Sequence, residues 1–417
     1  MKTYLVGGAV RDKLLNRTSH DNDYVVVGSS ISEMESLGFH QVGKDFPVFL
    51  HSETNEEYAL ARKERKIGDK HTDFEFEFSS DVSLEDDLVR RDFTINAMAL
   101  DENGNVIDYF NGQDDLKNKL LRAVRDETFI EDPLRLLRAC RFSAQLDFNI
   151  ERNTMNLLQT MVENKMIEHL TEERVWKEIE KALQSNCITE KFIRNLQESG
   201  ALKIVLPELY ALIDTPEKLE YHPEGNSFEH TMLCLRVADW NQLSPMVKFA
   251  VLCHDLGKAL TPQDILPAHH GHEFNGLSVI EKLCDRVKIP NEYRDFALIS
   301  CRYHMNAHRF HKMKIRKQYD MIKAISLNFK NRQRLIDFIE VTRCDCYGRA
   351  LTVSDEEKIE RQKIEQRMLK IFDVMYSITL KDLPEKVQER LSKFSGKKFG
   401  EIYHEEMIKY LSNNIEN

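Results

Sequence analysis

Strand-like and helix-like patterns of apolar residues follow one another over about the first 130 residues. The run TYLVGG predicts a strand, AVRDKLLN a short helix, DYVVVG a second strand, and ISEMESLG a helix that ends at Gly38. PVFLHS and EYALARKER predict two further strands, joined by a polar turn over residues 53–56. The charged stretch from Lys63 to Ser80 has no steady period, which predicts a mobile loop with Gly68 as its flexible point. This part of the chain therefore predicts a small α/β sheet domain.

From about Phe129 onward the pattern is helical almost to the end of the sequence. EDPLRLLRACRFSAQL, TEERVWKEIEKALQS and TEKFIRNLQESGAL each carry apolar residues at helical spacing. Residues 354–417 predict a charged helical tail. The whole pattern predicts an α+β fold, with a small N-terminal α/β head followed by an all-helical body.

Composition narrows the class of protein. The chain has 417 residues, 41% of them hydrophobic and 31% charged, with a net charge of −10. This balance argues against a generally basic nucleic-acid coat but allows a local basic groove. No secretory signal and no apolar run long enough to span a membrane is visible, so we expect no membrane partner. The cysteines contain no CxxC pair and indicate reduced thiols of a cytoplasmic protein: Cys140, Cys187, Cys234, Cys253, Cys284, Cys301, Cys344 and Cys346.

The N-terminal segment combines a pair of glycines with a pair of carboxylates. Asp21 and Asp23 precede an apolar run, and residues two apart on a strand point to the same side. Adjacent carboxylates repel each other, and Mg²⁺, which prefers carboxylate and phosphate oxygens, would relieve that repulsion. Gly7 and Gly8 precede a predicted helix whose first N–H groups can bind phosphate, and Arg11 lies on its first turn. A solvated turn is the competing interpretation of these features taken alone.

Two later stretches concentrate charge. EDDLVRRDFTINAMAL (85–100) is compatible with a helix and crowds three charged residues with an asparagine: Arg90, Arg91, Asp92 and Asn96. EDPLRLLRACRF (131–142) spaces one acid and three arginines at intervals of three: Asp132, Arg135, Arg138 and Arg141. At about 100° per residue these four fall on one half of a helix. Leu134 and Phe142 interrupt that half, which indicates that it is partly covered rather than only solvated.

A second group of polar residues is rich in histidine. AVLCHDLGKALTP places His254 and Asp255 after an apolar helix, and His230 lies upstream. Downstream, AHHGHEFNG, RYHMNAH and CDCYGR add further histidines and an aspartate. Imidazole and carboxylate together suit transition metals such as Ni²⁺, Mn²⁺ or Fe²⁺. A single His-Asp pair is common by chance, whereas this ordered combination is much rarer.

GGAVRD, the Asp-x-Asp at 21–23, RRDFTINA and EDPLRLLRACRF occur in the order seen in class II tRNA nucleotidyltransferases, the family of CCA-adding enzymes and bacterial poly(A) polymerases. The histidine pattern resembles the HD phosphohydrolase superfamily, which one bacterial form of the family carries as an added domain. The resemblance covers at least residues 1–350. It implies a nucleotidyltransferase head with a nucleotide-selecting helix (1–142), a helical neck and body (143–222), an HD domain (223–350) and a helical C-terminal tail (351–417).

The resemblance also implies roles for individual residues. Asp21 and Asp23 would be the catalytic carboxylates that hold Mg²⁺, with Glu57 as a candidate third. Asp92 would contact the ribose 2′-hydroxyl. Asp132 and Arg135 would select the base, since a carboxylate accepts from the exocyclic amine of CTP or ATP and arginine donates to ring acceptors. The remaining contacts to the nucleotide would come from Gly8, Arg11, Arg91, Arg138 and Arg141.

For the HD domain the resemblance implies the metal ligands His230, His254, Asp255 and Asp345. His272 and His304 would bind a second metal or a phosphate. The implied metal is Ni²⁺ or another transition metal, and the implied activities are those of a phosphatase, a 2′-nucleotidase and a 2′,3′-cyclic phosphodiesterase. The competing interpretation is a relic domain that only packs beside the tRNA.

A basic segment offers a surface for RNA. Between Arg302 and Arg334 there are ten lysines or arginines and one acid, Asp320. Such a segment binds a phosphate backbone in a salt-dependent way. Phe310, Tyr319 and Phe329 lie within it at spacings that indicate packing rather than base stacking. The partner that the family implies is tRNA, bound by a monomer or a homo-oligomer.

The sequence therefore predicts an enzyme that adds and repairs the 3′-terminal CCA of tRNA from CTP and ATP without a nucleic-acid template. Two alternatives remain open. One is a poly(A) polymerase or A-adding enzyme of the same family, which the motifs hardly distinguish. The other is an HD metal hydrolase whose N-terminal domain only binds RNA, although a binding module has no need for paired carboxylates.

Overall fold

The computed structural model describes residues 1–18, 22–42, 48–66, 74–77 and 80–415, with backbone only for residues 64–66 and 74–77. Contacts divide the chain into two compact units: Met1–Ala182 with Lys191–Val205, and Leu183–Glu190 with Leu206–Asn417. The four-part division of the sequence analysis stays a prediction.

The strands formed by the described residues all lie in the first unit. They are β1 (Lys2–Val6), β2 (Asp23–Val27), β3 (His40–Val42), β4 (Val48–Leu50), β5 (Glu57–Leu60), β6 (Lys63–Lys66), β7 (Phe74–Glu77), β8 (Met98–Leu100), β9 (Val106–Asp108), β10 (Leu120–Leu121) and β11 (Asn149–Ile150). Seven of them form a mixed sheet in the order β3-β4-β5-β2-β1-β8-β9. Within it β2 and β5 run parallel, and the other neighbours run antiparallel.

Helices surround and follow this sheet. Up to residue 205 they are α1 (Gly8–Leu14), α2 (Ile31–Ser36), α3 (Leu84–Val89), α4 (Gly112–Asn118), α5 (Asp126–Ile130), α6 (Leu134–Leu146), α7 (Arg152–Glu163), α8 (Glu172–Ala182), α9 (Thr189–Glu198) and α10 (Leu202–Val205). Short 3₁₀ helices cover Thr94–Asn96 and Met166–His169.

The second unit is helical in its described residues. Its helices are α11 (Pro207–Tyr210), α12 (Ser227–Trp240), α13 (Pro245–Cys253), α14 (His272–Val287), α15 (Asn291–His308), α16 (Ile315–Ile325), α17 (Arg332–Tyr347), α18 (Asp355–Ser377), α19 (Glu385–Ser392) and α20 (Gly396–Asn414). Its 3₁₀ helices are Ala211–Asp214, Leu256–Leu260, Gln263–Ile265, Phe310–Lys312 and Leu380–Asp382. No helix among the described residues is both long and apolar enough to cross a membrane.

The sheet buries apolar residues on both faces, because the run YVVV in β2 supplies both. Val25 joins one core cluster with Val6, Leu88 and Ala99. Its neighbour Val26 joins a second cluster on the opposite face, with Met34, Phe49 and Leu60. A continuous apolar run, rather than an alternating one, is what a strand covered on both sides requires.

The α+β prediction is confirmed, and two local predictions are wrong. The segment predicted as a loop contains β6 and β7, which pair as an antiparallel hairpin from Lys63 opposite Glu77 to Lys66 opposite Phe74. Gly68 lies outside the described residues. The helix-compatible run 85–100 is a helix only as far as Val89, after which the chain turns into a 3₁₀ helix and β8.

Candidate functional site

The first candidate site begins at the turn that joins β1 to α1. Gly7 has a φ of +73°, and a Cβ added there would lie 2.7 Å from Nη1 of Arg91. The backbone conformation therefore requires glycine, and any Cβ there would push the end of the Arg91 side chain aside. Gly8 opens α1, and Arg11 on the same helix is 6% exposed.

Strand register brings two predicted carboxylate residues to this turn. Asp23 at the start of β2 is paired with Val6 on one side and with Glu57 of β5 on the other. Both acidic residues are exposed. Neighbouring carboxylates that offer only oxygen donors fit a hard cation such as Mg²⁺. Asp21, the other predicted ligand, lies outside the described residues.

Three predicted nucleotide-binding arginines converge on one aromatic ring. The Cζ atoms of Arg11, Arg138 and Arg141 lie 5.4, 5.3 and 4.1 Å from the ring centroid of Phe142. The negative face of the ring attracts each guanidinium, but three like charges at one ring also repel one another. Each arginine also pairs with a carboxylate that offsets this repulsion: Arg11 with Asp12, Arg138 with Asp92 and Arg141 with Glu178. The three guanidinium groups are therefore held in place, as suits the binding of an anion with several oxygens such as a triphosphate.

A chain of hydrogen bonds connects Arg11 to Arg138 through Asn96 and Asp92. Arg11 Nη1 donates to Asn96 Oδ1 at 2.8 Å, and Asn96 Nδ2 donates to Asp92 Oδ1 at 3.0 Å. Arg138 Nε donates to Asp92 Oδ2 at 2.9 Å. Burial alone would raise the pKa of Asp92, but the charge of Arg138 lowers it below its ordinary value. Asp92 is therefore an anion that fixes Arg138 in place.

Arg91 is oriented by a buried acid that the sequence analysis did not single out. Asp87 of α3 is fully buried and accepts from Nη2 of Arg90 at 2.7 Å and from Nη2 of Arg91 at 3.4 Å. These contacts hold Arg91 next to Gly7. Its Nε is buried and has no hydrogen-bond partner among the described residues, so the hydrogen-bonding capacity of the guanidinium is only partly used.

The two residues predicted to select the base are held separately. Asp132 precedes α6 rather than lying on it, and both of its carboxylate oxygens are near Nη2 of Arg174, at 3.0 and 2.9 Å. Arg135 donates to the carbonyl oxygens of Thr128 and Arg90 at 2.5 and 2.6 Å. No local sequence pattern distinguishes Arg174, because a charged residue at its position is ordinary for the polar face of an amphipathic helix.

The second candidate site lies among α12–α15 and α17, where buried histidines present the same ring nitrogen inward. Nδ1 of His254, His272 and His304 lies 2.6–2.7 Å from the carbonyl oxygens of Val251, His269 and Cys301. A carbonyl oxygen only accepts, so Nδ1 must carry the proton and Nε2 keeps its lone pair. All three rings are therefore in the tautomer that binds a metal through Nε2.

Their Nε2 atoms surround the predicted carboxylates. His254 Nε2 lies 3.2 Å from Asp255 Oδ2 without a hydrogen bond between them, and Asp255 Oδ1 likewise has no hydrogen-bond partner among the described residues. His230 Nε2 lies 3.3 Å from Asp345 Oδ1. Such buried atoms with unused lone pairs fit a bound cation.

A second cation position is indicated by His272 and His304. Their Nε2 atoms lie 3.0 Å apart, and both lone pairs face the gap. Asp255 Oδ1 is 3.2 Å from the first and 3.5 Å from the second. Two facing lone pairs repel, so this gap requires a proton or a metal ion. The structure thus brings together all six predicted HD residues.

Three further residues support this site. Glu224 accepts from Nδ1 of His230 at 3.1 Å, which leaves Nε2 of that ring for a metal. Burial alone would raise the pKa of Glu224, but hydrogen bonds, first of all from His230, lower it to about 2. His308, one turn after His304, lies 2.6 Å from Asp345 Oδ2, and Lys258 lies 2.8 Å from Asp255 Oδ2. The helical spacing of His308 was a usable sequence signal, whereas Glu224 lies in the turn before α12 and had none.

The cluster opens into a cavity of about 460 Å³. Asp255, His272, His304 and Asp345 line it together with a set of basic side chains: Lys218, Arg309 and Arg349. A cluster of potential metal ligands that lines a cavity with basic side chains suits an anionic substrate such as a phosphoester.

Curated relatives match nearly the whole chain. A multifunctional CCA protein from Acinetobacter baumannii (strain AYE) is 43% identical over 391 residues, which is 93% of each chain. One from Acinetobacter baylyi is 45% identical over 393 residues, again 93% of each. One from Laribacter hongkongensis is 45% identical over 349 residues, 84% of this chain and 85% of the relative.

Solved structures share the fold. A Thermotoga maritima CCA-adding enzyme complexed with tRNA is 23% identical with a TM-score of 0.64, covering 100% of this chain and 88% of that one. A Bacillus stearothermophilus CCA-adding enzyme in complex with CTP is 22% identical with a TM-score of 0.63, covering 99% and 88%.

Family models match two parts of the chain. Residues 3–122 match the poly A polymerase head domain, and residues 147–212 match a probable RNA- and SrmB-binding site of polymerase A. Together with relatives 43–45% identical over 93% of its length, these matches show that the chain belongs to the tRNA nucleotidyltransferase and poly(A) polymerase family, among its multifunctional CCA proteins.

Proposed function

We propose that this protein adds and repairs the 3′-terminal CCA of tRNA from CTP and ATP without a nucleic-acid template. The observation that carries the proposal is the convergence of Arg11, Arg138 and Arg141 on Phe142, in the same unit as the Asp23–Glu57 pair. Relatives named multifunctional CCA protein and solved CCA-adding enzymes with ATP, CTP and tRNA support the substrates.

In the proposed reaction the terminal hydroxyl of tRNA attacks the α-phosphorus of the nucleotide, and pyrophosphate leaves. Asp21, Asp23 and Glu57 would hold Mg²⁺, which supplies charge neutralisation and activation of the hydroxyl. The arginines at Phe142, with Arg91 and the turn at Gly8, would bind the triphosphate. Asp92 would contact the ribose 2′-hydroxyl while it holds Arg138.

Base selection would belong to Asp132 and Arg135. The carboxylate of Asp132 accepts from the exocyclic amine of cytosine or adenine, which UTP and GTP lack at that edge. Arg135 donates to the ring acceptors of the same bases. Because no nucleic-acid template pairs with the incoming base, the two side chains have to supply its discrimination.

We further propose that the HD site hydrolyses phosphomonoesters and 2′,3′-cyclic phosphodiesters. The four imidazoles and two aspartates would hold Ni²⁺ or another transition metal, which lowers the pKa of bound water. Hydrolysis adds water at phosphorus and breaks one P–O ester bond. Lys218, Arg309 and Arg349 would bind the phosphate oxygens at the cavity.

The segment 302–334 would contact the tRNA backbone. Seven of its basic residues are exposed: Arg309, Lys312, Lys314, Arg316, Lys317, Lys330 and Arg332. Phe310, Tyr319 and Phe329 are buried there, in agreement with their predicted packing role. We propose that the protein acts in the reducing cytoplasm, as its scattered cysteines without a CxxC pair led us to expect.

The test uses purified protein and tRNA that lacks its 3′ end. CTP alone should give two added residues, ATP alone none, and both together a complete CCA end. Extended addition of adenosine from ATP alone would favour the poly(A) polymerase alternative. Failure to extend with any nucleotide, while metal-dependent hydrolysis persists, would favour the HD hydrolase with an RNA-binding head.

A further inference from the structure

Cys234 brings a thiol to the residues that form the HD site. It lies four residues after His230 on α12, and helical residues four apart share a face. Donor atoms of four buried residues lie within 4.8 Å of one another: His230, Cys234, His254 and Asp345. They come from α12, the end of α13 and α17, so the sulfur lies where three helices meet.

The sulfur lies on the side of the His230 ring that faces the proposed metal. Its Sγ is 3.5 Å from Nε2 and 3.9 Å from Nδ1, the nitrogen that contacts Glu224. The same Nε2 is 3.3 Å from Asp345 Oδ1. Ligands of one tetrahedral ion, at about 2.0 Å for nitrogen or oxygen and about 2.3 Å for sulfur, lie about 3.3–3.5 Å apart. Both contacts of Nε2 therefore match the spacing of ligands that share an ion.

Gly348 confines the sulfur to this position. A Cβ added at Gly348 would lie 2.4 Å from Sγ and 2.6 Å from the backbone nitrogen of Cys234. Because its φ is −80°, glycine is needed here for the close approach of the chain to α12 and not for the backbone conformation. Sγ is 3.9 Å from the carbonyl oxygen of Gly348. The shorter polar contact of the thiol is therefore the one to Nε2 of His230.

His254 independently indicates that this group holds a ligand. Its Nδ1 donates to the carbonyl oxygen of Val251, and its Nε2 is buried without a hydrogen-bond partner among the described residues. A buried lone pair beside a carboxylate and a thiol is unfavourable unless a cation lies among them. Imidazole, carboxylate and thiolate are together the donors that zinc and cobalt accept, because sulfur favours softer ions than oxygen does.

We propose that Cys234 is a ligand of the metal in the HD site, which it binds as a thiolate after its proton is released to water. The inference rests on the proposed metal site and adds a sulfur donor to its imidazoles and carboxylates. A thiolate raises the preference for Zn²⁺ or Co²⁺ over Mn²⁺, since Mn²⁺ prefers oxygen. Cys234→Ala should therefore weaken Zn²⁺ binding at least about tenfold and Mn²⁺ binding much less, because even a partner of a ligand is worth that much affinity.

The test is the absorption spectrum of the full-length protein, depleted of metal and titrated with Co²⁺. Co²⁺ gives weak visible bands with any of these ligands, whereas an intense charge-transfer band in the near ultraviolet requires a thiolate. We expect this band in wild type and in Cys284→Ser, which changes a buried cysteine of α14 and is the matched control. Cys234→Ala and Cys234→Ser should lose the band and keep the visible ones. Circular dichroism confirms folding, and calorimetric titration compares Zn²⁺ with Mn²⁺.

Two spectra would overturn the inference. One is wild type that shows the visible bands of Co²⁺ without the charge-transfer band, as a thiol that only donates a hydrogen bond to Nε2 would give. The other is a folded Cys234→Ala that keeps the charge-transfer band. An equal loss of Zn²⁺ and Mn²⁺ affinity in Cys234→Ala would also contradict it. Wild-type protein that binds none of these metals would instead overturn the proposed function of the HD site.

Discussion

Arg138 and Arg141 lie on the same face of α6, yet each has its own acidic partner. Arg138 donates to Asp92 and Arg141 to Glu178. Removing one partner of a buried charge pair leaves the other charge uncompensated. These acids therefore fix the direction of each guanidinium before a nucleotide arrives, so less conformational entropy is lost on binding.

At the same scale, Asp132→Ala should change which nucleotide is added rather than whether one binds. The variant loses the acceptor for the exocyclic amine but keeps the arginines at Phe142. Misincorporation of UTP and GTP into tRNA, measured for each nucleotide alone, should rise about tenfold. Asp126→Ala, an exposed acid at the start of α5, is the control. If Asp132→Ala rejects UTP and GTP as strongly as wild type, selection lies elsewhere.

Glu224 should control metal affinity without being a ligand. Glu224→Gln removes the charge that holds Nδ1 of His230, so Ni²⁺ or Mn²⁺ should bind about tenfold to a hundredfold more weakly. Calorimetric titration of metal-depleted protein measures this directly. Glu220→Gln, an exposed neighbour, should bind as wild type does. Unchanged affinity in Glu224→Gln would show that His230 does not need this carboxylate.

At the scale of elements, the turn between β1 and α1 determines where Arg91 lies. Gly7→Ala should cost roughly 1–3 kcal/mol of backbone strain and also displace Arg91. Gly38→Ala has a similarly unfavourable φ, +86°, but no atom lies within 4 Å of the added Cβ. We therefore expect both variants to lose thermal stability and only Gly7→Ala to raise KM for CTP and ATP. Equal KM values in the two variants would contradict the role of the turn.

Secondary-structure elements could be predicted where a local apolar pattern determines them. They could not be predicted where a strand forms only because it pairs with another strand. β2 was predicted from its apolar run, and α13 from the apolar residues before His254. The sequence pattern predicts one strand over EYALARKER and a loop after it, and it misses the hairpin of β6 and β7 because KERK shows no apolar alternation. The motifs also located the arginines of the first site, but not Arg174, whose partner is 42 residues away in the sequence. A contact of that range depends on how helices pack, which no local period contains.

At the scale of the whole molecule, the chain has a net charge of −10 but contains the basic segment 302–334. The electrostatic attraction for RNA is therefore concentrated on this part of the chain. The two candidate sites also differ in their donors. Oxygen donors at Asp23 and Glu57 suit Mg²⁺, whereas imidazoles around Asp255 suit later transition metals. The sites lie in separate compact units. We therefore expect them to work independently.

The central claim, two independent active sites on one chain, is tested by a two-by-two assay of Asp23→Ala and Asp255→Ala. Each variant is assayed for CCA addition with Mg²⁺ and for Ni²⁺- or Mn²⁺-stimulated hydrolysis of 2′,3′-cyclic nucleotides. Circular dichroism confirms folding, and Asp264→Ala, an exposed acid of the second unit, is the control.

We predict that Asp23→Ala loses nucleotide addition and keeps hydrolysis, and that Asp255→Ala does the reverse. Near-normal CCA synthesis by Asp23→Ala, or full metal-stimulated hydrolysis by Asp255→Ala, would contradict the assignment of the corresponding site. A folded Asp255→Ala that loses both reactions would contradict their independence.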